Sequence, residues 1–341
     1  MIQSLLKAYG FNSDSLQVET FGSGLINHTW KLSVCDKTYI VQRINIDVFK
    51  EPAAIAHNIN VIASYLQANF PKYHFVAPIT SKQGQQMFHD REEGYFRVFP
   101  FVAGSHSVDV VETPAQAYEA AAQFGRFSKL LSGIDISQIK KTIPGFHDLS
   151  LRYRQFLQAL QQGNKQRITE AASLIQTLQS FSDIVTDYDA IVRNPEFRLR
   201  VTHHDTKISN VLFDSNDKGL CVIDLDTVMP GYFISDVGDM IRTCVCPVSE
   251  EEKDFSKIHV RTDFYNAIVD GYYGEMKDVL TDTEKKYFLY AGKFIIYMQA
   301  IRFLTDYLEN DIYYGEKYAG QNLVRAGNQT VLLQQLLPLI K

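Results

Sequence analysis

Reactive side chains are concentrated in the run His203-His204-Asp205-Thr206-Lys207-Ile208-Ser209-Asn210. Phosphoryl transfer requires a carboxylate that orients or deprotonates the acceptor hydroxyl, and a cation that neutralises charge on the moving group. It also requires oxygen ligands that hold Mg²⁺ on the nucleotide phosphates. Asp205, Lys207 and Asn210 have these three chemistries at a spacing that suits one tight loop. We therefore predict a catalytic loop for phosphoryl transfer, with Asp205 and Lys207 as the catalytic residues.

Two further acids lie in the hairpin that we predict after this loop. Short apolar strands at residues 211–213 and 221–225 flank a turn at 214–219, and Asp224 and Asp226 lie at the far end. The hairpin would bring Asp224 beside Asn210 as a metal ligand, with Asp226 as a second ligand or a bracing group. A capped turn is the alternative, since Asp, Asn, His and Ser are common turn residues. Acids in an apolar strand are costly unless a ligand or metal satisfies them, which favours the metal site.

The two histidines of the loop allow another interpretation. A His-His-Asp run with distant acids is also found in metal-dependent hydrolases. Lys207 and Asn210 would have no role in a zinc site, however, so we expect His203 to support the loop backbone through hydrogen bonds.

The elements that must position these residues differ between the two ends of the chain. Alternating apolar residues predict strands at 16–21, 29–34, 38–43, 75–80 and 94–101. One helix starts at Pro52, with Ile55, Ile59, Ile62 and Leu66 on one face. Residues after 104 are mainly helical, with helices predicted at 113–131, 146–162, 165–192 and 287–309. We therefore predict an α+β fold with a small antiparallel-sheet lobe at 1–103 and a larger, mainly helical lobe at 104–341.

Composition bounds the class of protein. A chain of 341 residues suits about two lobes, and a net charge of −5 gives no reason to expect nucleic acid or an anionic membrane as a partner. Four cysteines, with no second pair beside Cys244 and Cys246, fit a reducing compartment. We find neither a secretory leader nor an apolar run of about 20 residues, and we expect a cytoplasmic enzyme.

The motifs resemble those of a known family. His203-x-Asp205-x-Lys207-x-x-Asn210 followed by Asp224 resembles the catalytic and metal motifs of the aminoglycoside phosphotransferase and choline kinase family. The longer runs 205–214, 221–231, 235–239 and 301–308 resemble bacterial N-acetylhexosamine 1-kinases. The resemblance implies a two-lobed protein-kinase-like fold that binds ATP and Mg²⁺ between the lobes.

The same resemblance implies nucleotide-binding residues in the first lobe. Gly22, Gly24 and Asn27 would belong to the turn that covers the phosphates, and Pro100 and Val102 to the hinge that faces adenine. The strand lysine of kinases has no counterpart, and Arg43 is the nearest cation that could replace it. The helix glutamate that orients that lysine is also missing, since the helix after Pro52 offers His57 and Asn58 instead.

For the acceptor, the resemblance implies a sugar whose contacts are His28, Asp205, Asp224, Thr227, Arg302 and Tyr313. Arg302 could instead pair with Asp306 one helical turn later, and Tyr313 could simply pack between helices. Asp236 and Asp239 would brace the loop, as His203 does.

The resulting hypothesis is an ATP- and Mg²⁺-dependent kinase that phosphorylates the anomeric 1-hydroxyl of N-acetylglucosamine or N-acetylgalactosamine. A kinase for choline, an aminoglycoside, homoserine or another sugar stays open, as do a nucleotide-binding pseudokinase and the hydrolase.

Overall fold

A computed structural model of the chain describes residues 2–11, 16–22 and 26–339. Its N-terminal part contains a five-stranded antiparallel sheet in the order β1-β2-β3-β5-β4. The strands are β1 (Leu16–Thr20), β2 (His28–Val34), β3 (Lys37–Arg43), β4 (Phe88–Asp90) and β5 (Gly94–Pro100). Two helices accompany them, α1 (Ile2–Tyr9) and α2 (Pro52–Asn69).

The two faces of this sheet differ because successive side chains of a strand point to opposite sides. Leu32, Val41, Phe96 and Val98 lie on one face and form a small core with α1. Gln42 alternates with Val41 in sequence and therefore lies on the other face.

The C-terminal part is mainly helical. Its helices are α3 (Pro114–Leu130), α4 (Leu149–Gln162), α5 (Lys165–Glu170), α6 (Ala172–Ser180), α7 (Asp183–Arg193), α8 (Phe233–Cys244), α9 (Thr262–Met276), α10 (Phe288–Leu308) and α11 (Gln321–Leu336). Helix α10 is buried on most of its surface and packs against α4, α8 and α11. Throughout the part of the chain that the structure describes, the helices lack the combination of length and hydrophobicity that a membrane span requires.

Two short antiparallel pairs lie between these helices. Strand β6 (Arg200–Thr202) pairs with β9 (Met229–Gly231), and β7 (Val211–Phe213) pairs with β8 (Gly219–Val222). They frame the segment that carries the predicted catalytic residues.

Most predicted elements are present, with two corrections. Residues 75–80 are not a strand: Ile79 donates one hydrogen bond to the Val98 carbonyl, but Pro78 has no N–H for a ladder, and β4 forms the sheet edge instead. The helix predicted at 165–192 is broken into α5, α6 and α7. At the second break, the hydroxyls of Tyr297 and Tyr290 on α10 donate to the carbonyls of Leu178 and Ile184, so these segments wrap around α10.

Helix α2 has the predicted buried face, and it is also hydrogen-bonded to the C-terminal part. The fully buried Asn58 donates to the carbonyls of Lys140 and Val228 at 2.8 and 2.9 Å, and accepts from the Lys140 amide at 2.8 Å. The ring of His57 contacts the Gln138 carbonyl at 2.9 Å. These two residues, at the position predicted to lack the kinase glutamate, connect the two parts of the chain.

We expect Asn58→Leu to lower the free energy of unfolding by about 2–4 kcal/mol, because it leaves buried backbone groups without partners. Denaturant unfolding followed by circular dichroism measures the change. Asn60→Leu, an exposed position on the same helix, is the matched control and should change stability by less than about 0.5 kcal/mol. An equal effect of both substitutions would contradict the role of Asn58.

Candidate active site

The backbone of the predicted catalytic loop is held by one carboxylate of α8. Asp236 accepts hydrogen bonds from the amides of His203 at 3.1 Å and His204 at 2.8 Å. His204 has a φ of +66°, a left-handed conformation that costs a non-glycine residue about 1 kcal/mol or more. Burial raises the pKa of Asp236 to about 6, although the two amide hydrogen bonds and His203 act to lower it.

A second acid of the same helix supports the next turn of the loop. Asp239 accepts from the Thr206 amide at 2.8 Å and pairs with Arg242 at 3.0 Å. The Thr206 hydroxyl donates to the Asp236 carbonyl at 2.7 Å. Both acids therefore contact the loop backbone in the way predicted for bracing groups.

The two histidine rings are engaged by protein groups. His203 Nε2 lies 2.9 Å from the Ile223 carbonyl, and its Nδ1 accepts from the Asp205 amide at 3.4 Å, so the proton fits on Nε2. His204 contacts the Thr202 hydroxyl at 2.8 Å and His147 at 3.2 Å. Burial, with the charge of His203, lowers the pKa of His204 to about 3, so its ring is neutral. These contacts favour a structural role over zinc ligation.

The three reactive side chains of the loop lie together. Lys207 Nζ is 3.0 Å from Asp205 Oδ2, and Asn210 Nδ2 donates to the same oxygen at 2.9 Å. Burial raises the pKa of Asp205, but the charges of Lys207 and His203 outweigh it and hold that pKa below its ordinary value. Burial lowers the pKa of Lys207, but Asp205 and Asp224 outweigh it and leave that pKa raised. Both groups are therefore charged at neutral pH.

Asp224 differs from the other acids of the site. Its backbone is left-handed, with a φ of +60°, directly after Ile223, whose amide donates to the Asn210 carbonyl at 2.8 Å. Burial, together with the charges of Asp226 and Asp205, raises the pKa of Asp224 to about 7. Within residues 2–11, 16–22 and 26–339 its carboxyl group accepts no hydrogen bond and forms no ion pair, although the charges of Lys207 and Arg97 act to lower its pKa.

This environment fits a divalent cation. Asp224 and Asn210 offer oxygen ligands, which hard cations such as Mg²⁺ prefer. No group of three or more His, Cys, Asp and Glu side chains in the described ranges could hold a metal by itself. A cation here would therefore complete its coordination with nucleotide and water oxygens, as is usual for Mg²⁺.

Asp226 is engaged by the N-terminal sheet. One carboxylate oxygen forms an ion pair with Arg97 of β5, and the other accepts from Asn27 Nδ2 at 2.7 Å. Asn27 in turn accepts from the Asn45 amide at 3.0 Å. The structure thus favours the bracing role for Asp226 over the role of second metal ligand.

The predicted nucleotide residues have varied positions. Gly22 has a φ of +79° and open space around it, and Gly24 lies outside the described residues. Pro100 ends β5, and in the described part of the chain the Val102 amide, just beyond it, donates no hydrogen bond. Arg43 lies on the α1 side of the sheet, 3.4 Å from Glu93. The structure does not bring Arg43 together with Asp224 and Asp226.

Two of the predicted sugar residues, Asp205 and Asp224, belong to the catalytic loop and the hairpin described above. Arg302 and Tyr313 lie together, with Arg302 Nη2 3.5 Å from the Tyr313 hydroxyl. Thr227 donates to the His203 carbonyl at 2.7 Å, and His28 is exposed with its ring stacked on Trp30. In this arrangement Thr227 supports the loop.

Arg302 and Tyr313 line an open depression of about 250 Å³ between α4 and α10. Arg152, Tyr314 and the rim acid Glu309 also line it. The Asp306 carboxylate, proposed as a partner of Arg302, instead accepts from the amides of Tyr313 and Tyr314 at 2.7 and 2.9 Å, and from the Asn322 side chain at 3.0 Å.

The depression adjoins the catalytic loop through aromatic contacts. The Arg302 guanidinium lies 5.7 Å from the centre of the Phe146 ring. The Phe146 ring stacks on His147 at 4.5 Å and lies edge-on to His204, the neighbour of Asp205.

Three residues of the site were not identified in the sequence analysis: Arg97, His147 and Arg152. Arg97 had a signal, since a charged residue in the apolar strand of residues 94–100 requires a partner. His147 and Arg152 had none, because their partners come from distant elements.

A small antiparallel sheet, a larger helical part, and a catalytic loop and acid-bearing hairpin between them define a kinase-type phosphotransferase. The chain matches the model of the phosphotransferase enzyme family, APH, over residues 17–256, and it belongs to this family. It is therefore a small-molecule kinase by family, and the resemblance stated from the motifs is confirmed at that level.

Solved structures with the same fold are distant in sequence. The microcompartment-associated aminopropanol kinase has a TM-score of 0.68 at 16% identity, covering 99% of this chain and 97% of that chain. Amicoumacin kinase hAmiN, solved in complex with AMP-PNP, Ca²⁺ and Ami, has a TM-score of 0.66 at 13% identity, covering 98% of this chain and 92% of that chain. Choline kinase from Cryptosporidium parvum has a TM-score of 0.60 at 12% identity, covering 99% of this chain and 95% of that chain. The predicted two-lobed, protein-kinase-like fold is confirmed.

The raised pKa of Asp224 predicts a pH-dependent effect of Asp224→Asn on the ligand-free protein. Folding keeps Asp224 protonated up to about pH 7, whereas the unfolded chain ionises it near pH 4. Wild-type stability should therefore fall between about pH 4 and 7 relative to the variant, and the difference should level off at about 2–3 kcal/mol. Thermal unfolding without metal or nucleotide measures it. A difference that does not depend on pH would contradict this assignment.

Proposed function

We propose that this protein is an ATP- and Mg²⁺-dependent kinase that phosphorylates the anomeric 1-hydroxyl of N-acetylhexosamines. The phosphoryl-transfer half of the proposal is supported by the grouping of Asp205, Lys207, Asn210 and Asp224. The acceptor half is supported by the sequence runs that resemble N-acetylhexosamine 1-kinases and by one observation: Arg152 and Arg302, which form no ion pair within the described residues, line the same depression. The complete catalytic grouping disfavours a pseudokinase.

Asp205 would orient the acceptor hydroxyl. Its Oδ2 contacts Lys207 and Asn210, whereas within the described residues its Oδ1 accepts no hydrogen bond and is free for the acceptor. A carboxylate with a lowered pKa is a weak base, so its main contribution is positioning, with proton uptake late in the transfer. An anomeric hydroxyl suits such a base because it is more acidic than an ordinary alcohol.

Lys207 would stabilise negative charge on the transferring group. Its ammonium is held next to Asp205 and is charged at neutral pH, so the cation is present before the substrates bind. Asn210 and Asp224 would hold the metal ion, which supplies positive charge beside the phosphates when it is bound.

The charge of the depression distinguishes acceptors. Arg152 and Arg302 form no ion pair with any acid in the described part of the chain, and the charge of Arg302 helps burial to lower the pKa of Arg152. The two neighbouring guanidinium groups repel a cationic group placed beside them, as choline, an aminopropanol or an aminoglycoside would place one, although the acids Asp306 and Glu309 also line the depression. The guanidinium N–H groups donate well to the hydroxyl and amide oxygens of an N-acetylated sugar. The ring of such a sugar also packs well against tyrosine side chains.

The same two arginines favour one other acceptor class. A hydroxy acid such as homoserine could place its carboxylate on the guanidinium pair. It is our second candidate.

We expect Asp205→Asn to lower kcat by about 10³-fold, because the acceptor hydroxyl loses its carboxylate partner. Binding of Mg²⁺-ATP should change by less than about threefold, since Asp205 does not hold the nucleotide. Coupled ADP-release assays and calorimetry give the two values. Turnover near that of wild type would remove Asp205 from the mechanism.

An acceptor screen tests the substrate class. N-acetylhexosamines, simple hexoses, homoserine, choline and aminoglycosides are assayed for ADP release with Mg²⁺-ATP, and we expect activity with the N-acetylhexosamines. Arg152→Ala and Arg302→Ala should each raise KM for the acceptor about tenfold or more, because each removes a charged donor worth at least about 1.4 kcal/mol.

Arg154→Ala is the matched control, since Arg154 is exposed on the same helix and lies outside the depression. Activity confined to choline or aminoglycosides would overturn the acceptor proposal and leave the kinase assignment intact. Activity confined to homoserine would select the second candidate.

A further inference from the structure

The cleft face of the sheet carries a buried cation that does not come from strand β3. Residues 39–43 of β3 contain no lysine. In the register between β3 and β5, Gln42 lies opposite Arg97, and both point away from α1. The only charged residue of this stretch, Arg43, lies on the α1 side beside Glu93. Strand β5 therefore supplies the cation at the position where kinases have a β3 lysine.

Three groups hold the Arg97 guanidinium in one orientation. Its Nε and Nη2 both donate to Gln42 Oε1, at 3.1 and 2.9 Å, and its Nη1 pairs with Asp226. The Phe99 ring lies 5.0 Å away. A planar guanidinium can make these contacts at the same time, whereas a lysine ammonium could not reach both partners with the same geometry.

The ion pair connects the two parts of the chain inside the protein. The side chains of Arg97 and Asp226 are each 1% exposed, and Arg97 is in β5 whereas Asp226 follows the catalytic hairpin. A buried charge that loses its partner is strongly destabilising, so each residue fixes the other. With Asn27 on the second oxygen, both oxygens of Asp226 are engaged by the N-terminal part.

This arrangement has a consequence for Asp224, which lies two residues before Asp226. The 3-10 turn Leu225–Thr227 joins them, and Asp224 is its N-cap in a left-handed conformation. A fixed Asp226 carboxylate therefore fixes the end of the turn that aims Asp224. Because the Arg97 side chain is 1% exposed and paired with Asp226, we expect its effect on a bound nucleotide to pass through Asp226 and Asp224.

We propose that Arg97 is a positioning residue for the metal-bearing turn: it fixes Asp226, and through it Asp224, for binding of the metal–nucleotide complex. Through this ion pair it connects the sheet to the catalytic part from β5. The inference rests on the proposed metal role of Asp224, and it does not depend on the identity of the acceptor.

The test is nucleotide binding without turnover, by calorimetry with ADP in excess Mg²⁺ and in EDTA. For Arg97→Met we expect binding of ADP with Mg²⁺ to weaken about tenfold or more, and binding in EDTA to change less than about twofold. Arg97→Lys should recover part of the lost affinity, since lysine keeps the positive charge but lacks the planar guanidinium group. Equal weakening with and without Mg²⁺ would mean direct phosphate contact and would overturn the proposal, as would no weakening at all.

Additional variants keep the test decisive. If Arg97→Met does not fold, Gln42→Met removes the acceptor of two guanidinium hydrogen bonds and should cause a weaker, Mg²⁺-specific loss of about threefold. Arg91→Met, in the exposed turn before β5, is the matched control and should change neither affinity. A Mg²⁺-specific loss in Arg43→Met, with none in Arg97→Met or Gln42→Met, would assign the role to Arg43 and overturn the proposal.

Asp224→Asn separates this inference from the proposal on which it rests. If it abolishes the effect of Mg²⁺ on ADP binding while Arg97→Met leaves that effect unchanged, only the role of Arg97 fails. If Asp224→Asn leaves the effect of Mg²⁺ intact, the metal assignment itself fails.

Discussion

The bidentate contact of Asp236 with two consecutive amides is the interaction on which the site depends. It stabilises the left-handed conformation of His204, and this reversal sends the His204 ring into the helical part while Asp205, the next residue, faces the cleft. Because Asp236 lies in a helix that is buried along most of its length, the loop is anchored to a rigid element. Groups held in this way need little reorganisation when substrates bind, which is the main source of catalysis in phosphoryl transfer.

Three acids around this loop each have a cationic partner. Lys207 neutralises Asp205, Arg97 neutralises Asp226, and Arg242 neutralises Asp239. Asp224 lies among these pairs with a raised pKa, and within the described residues it forms no ion pair. Such a carboxyl group is costly in the ligand-free protein and becomes favourable when a divalent cation arrives. An acid of this kind lies at the point where our proposal requires a metal.

The two halves of the site have different origins in the fold. The loop and hairpin are continuous in sequence and lie between the sheet and the helices, in the arrangement shared by a family with diverse acceptors. The depression with Arg152, Arg302 and Tyr313 is assembled from α4, α10 and the segment after α10. Since function depends on such local sites more than on the fold, kinases with the same architecture can act on acceptors of opposite charge.

The sequence by itself determined the α+β architecture, most helices and strands, and the grouping of Asp205, Lys207 and Asn210, because these depend on periodicity and on neighbours within a few residues. The position of Asp224 also followed from a short hairpin. Only the tertiary structure decided that Arg97, and not Arg43, faces the cleft: adjacent residues of a strand point to opposite sides, and the packing of α1 selects the side that is covered. Likewise, Arg152 and Arg302 share one depression because α4 packs against α10, a contact between distant segments that no local pattern contains.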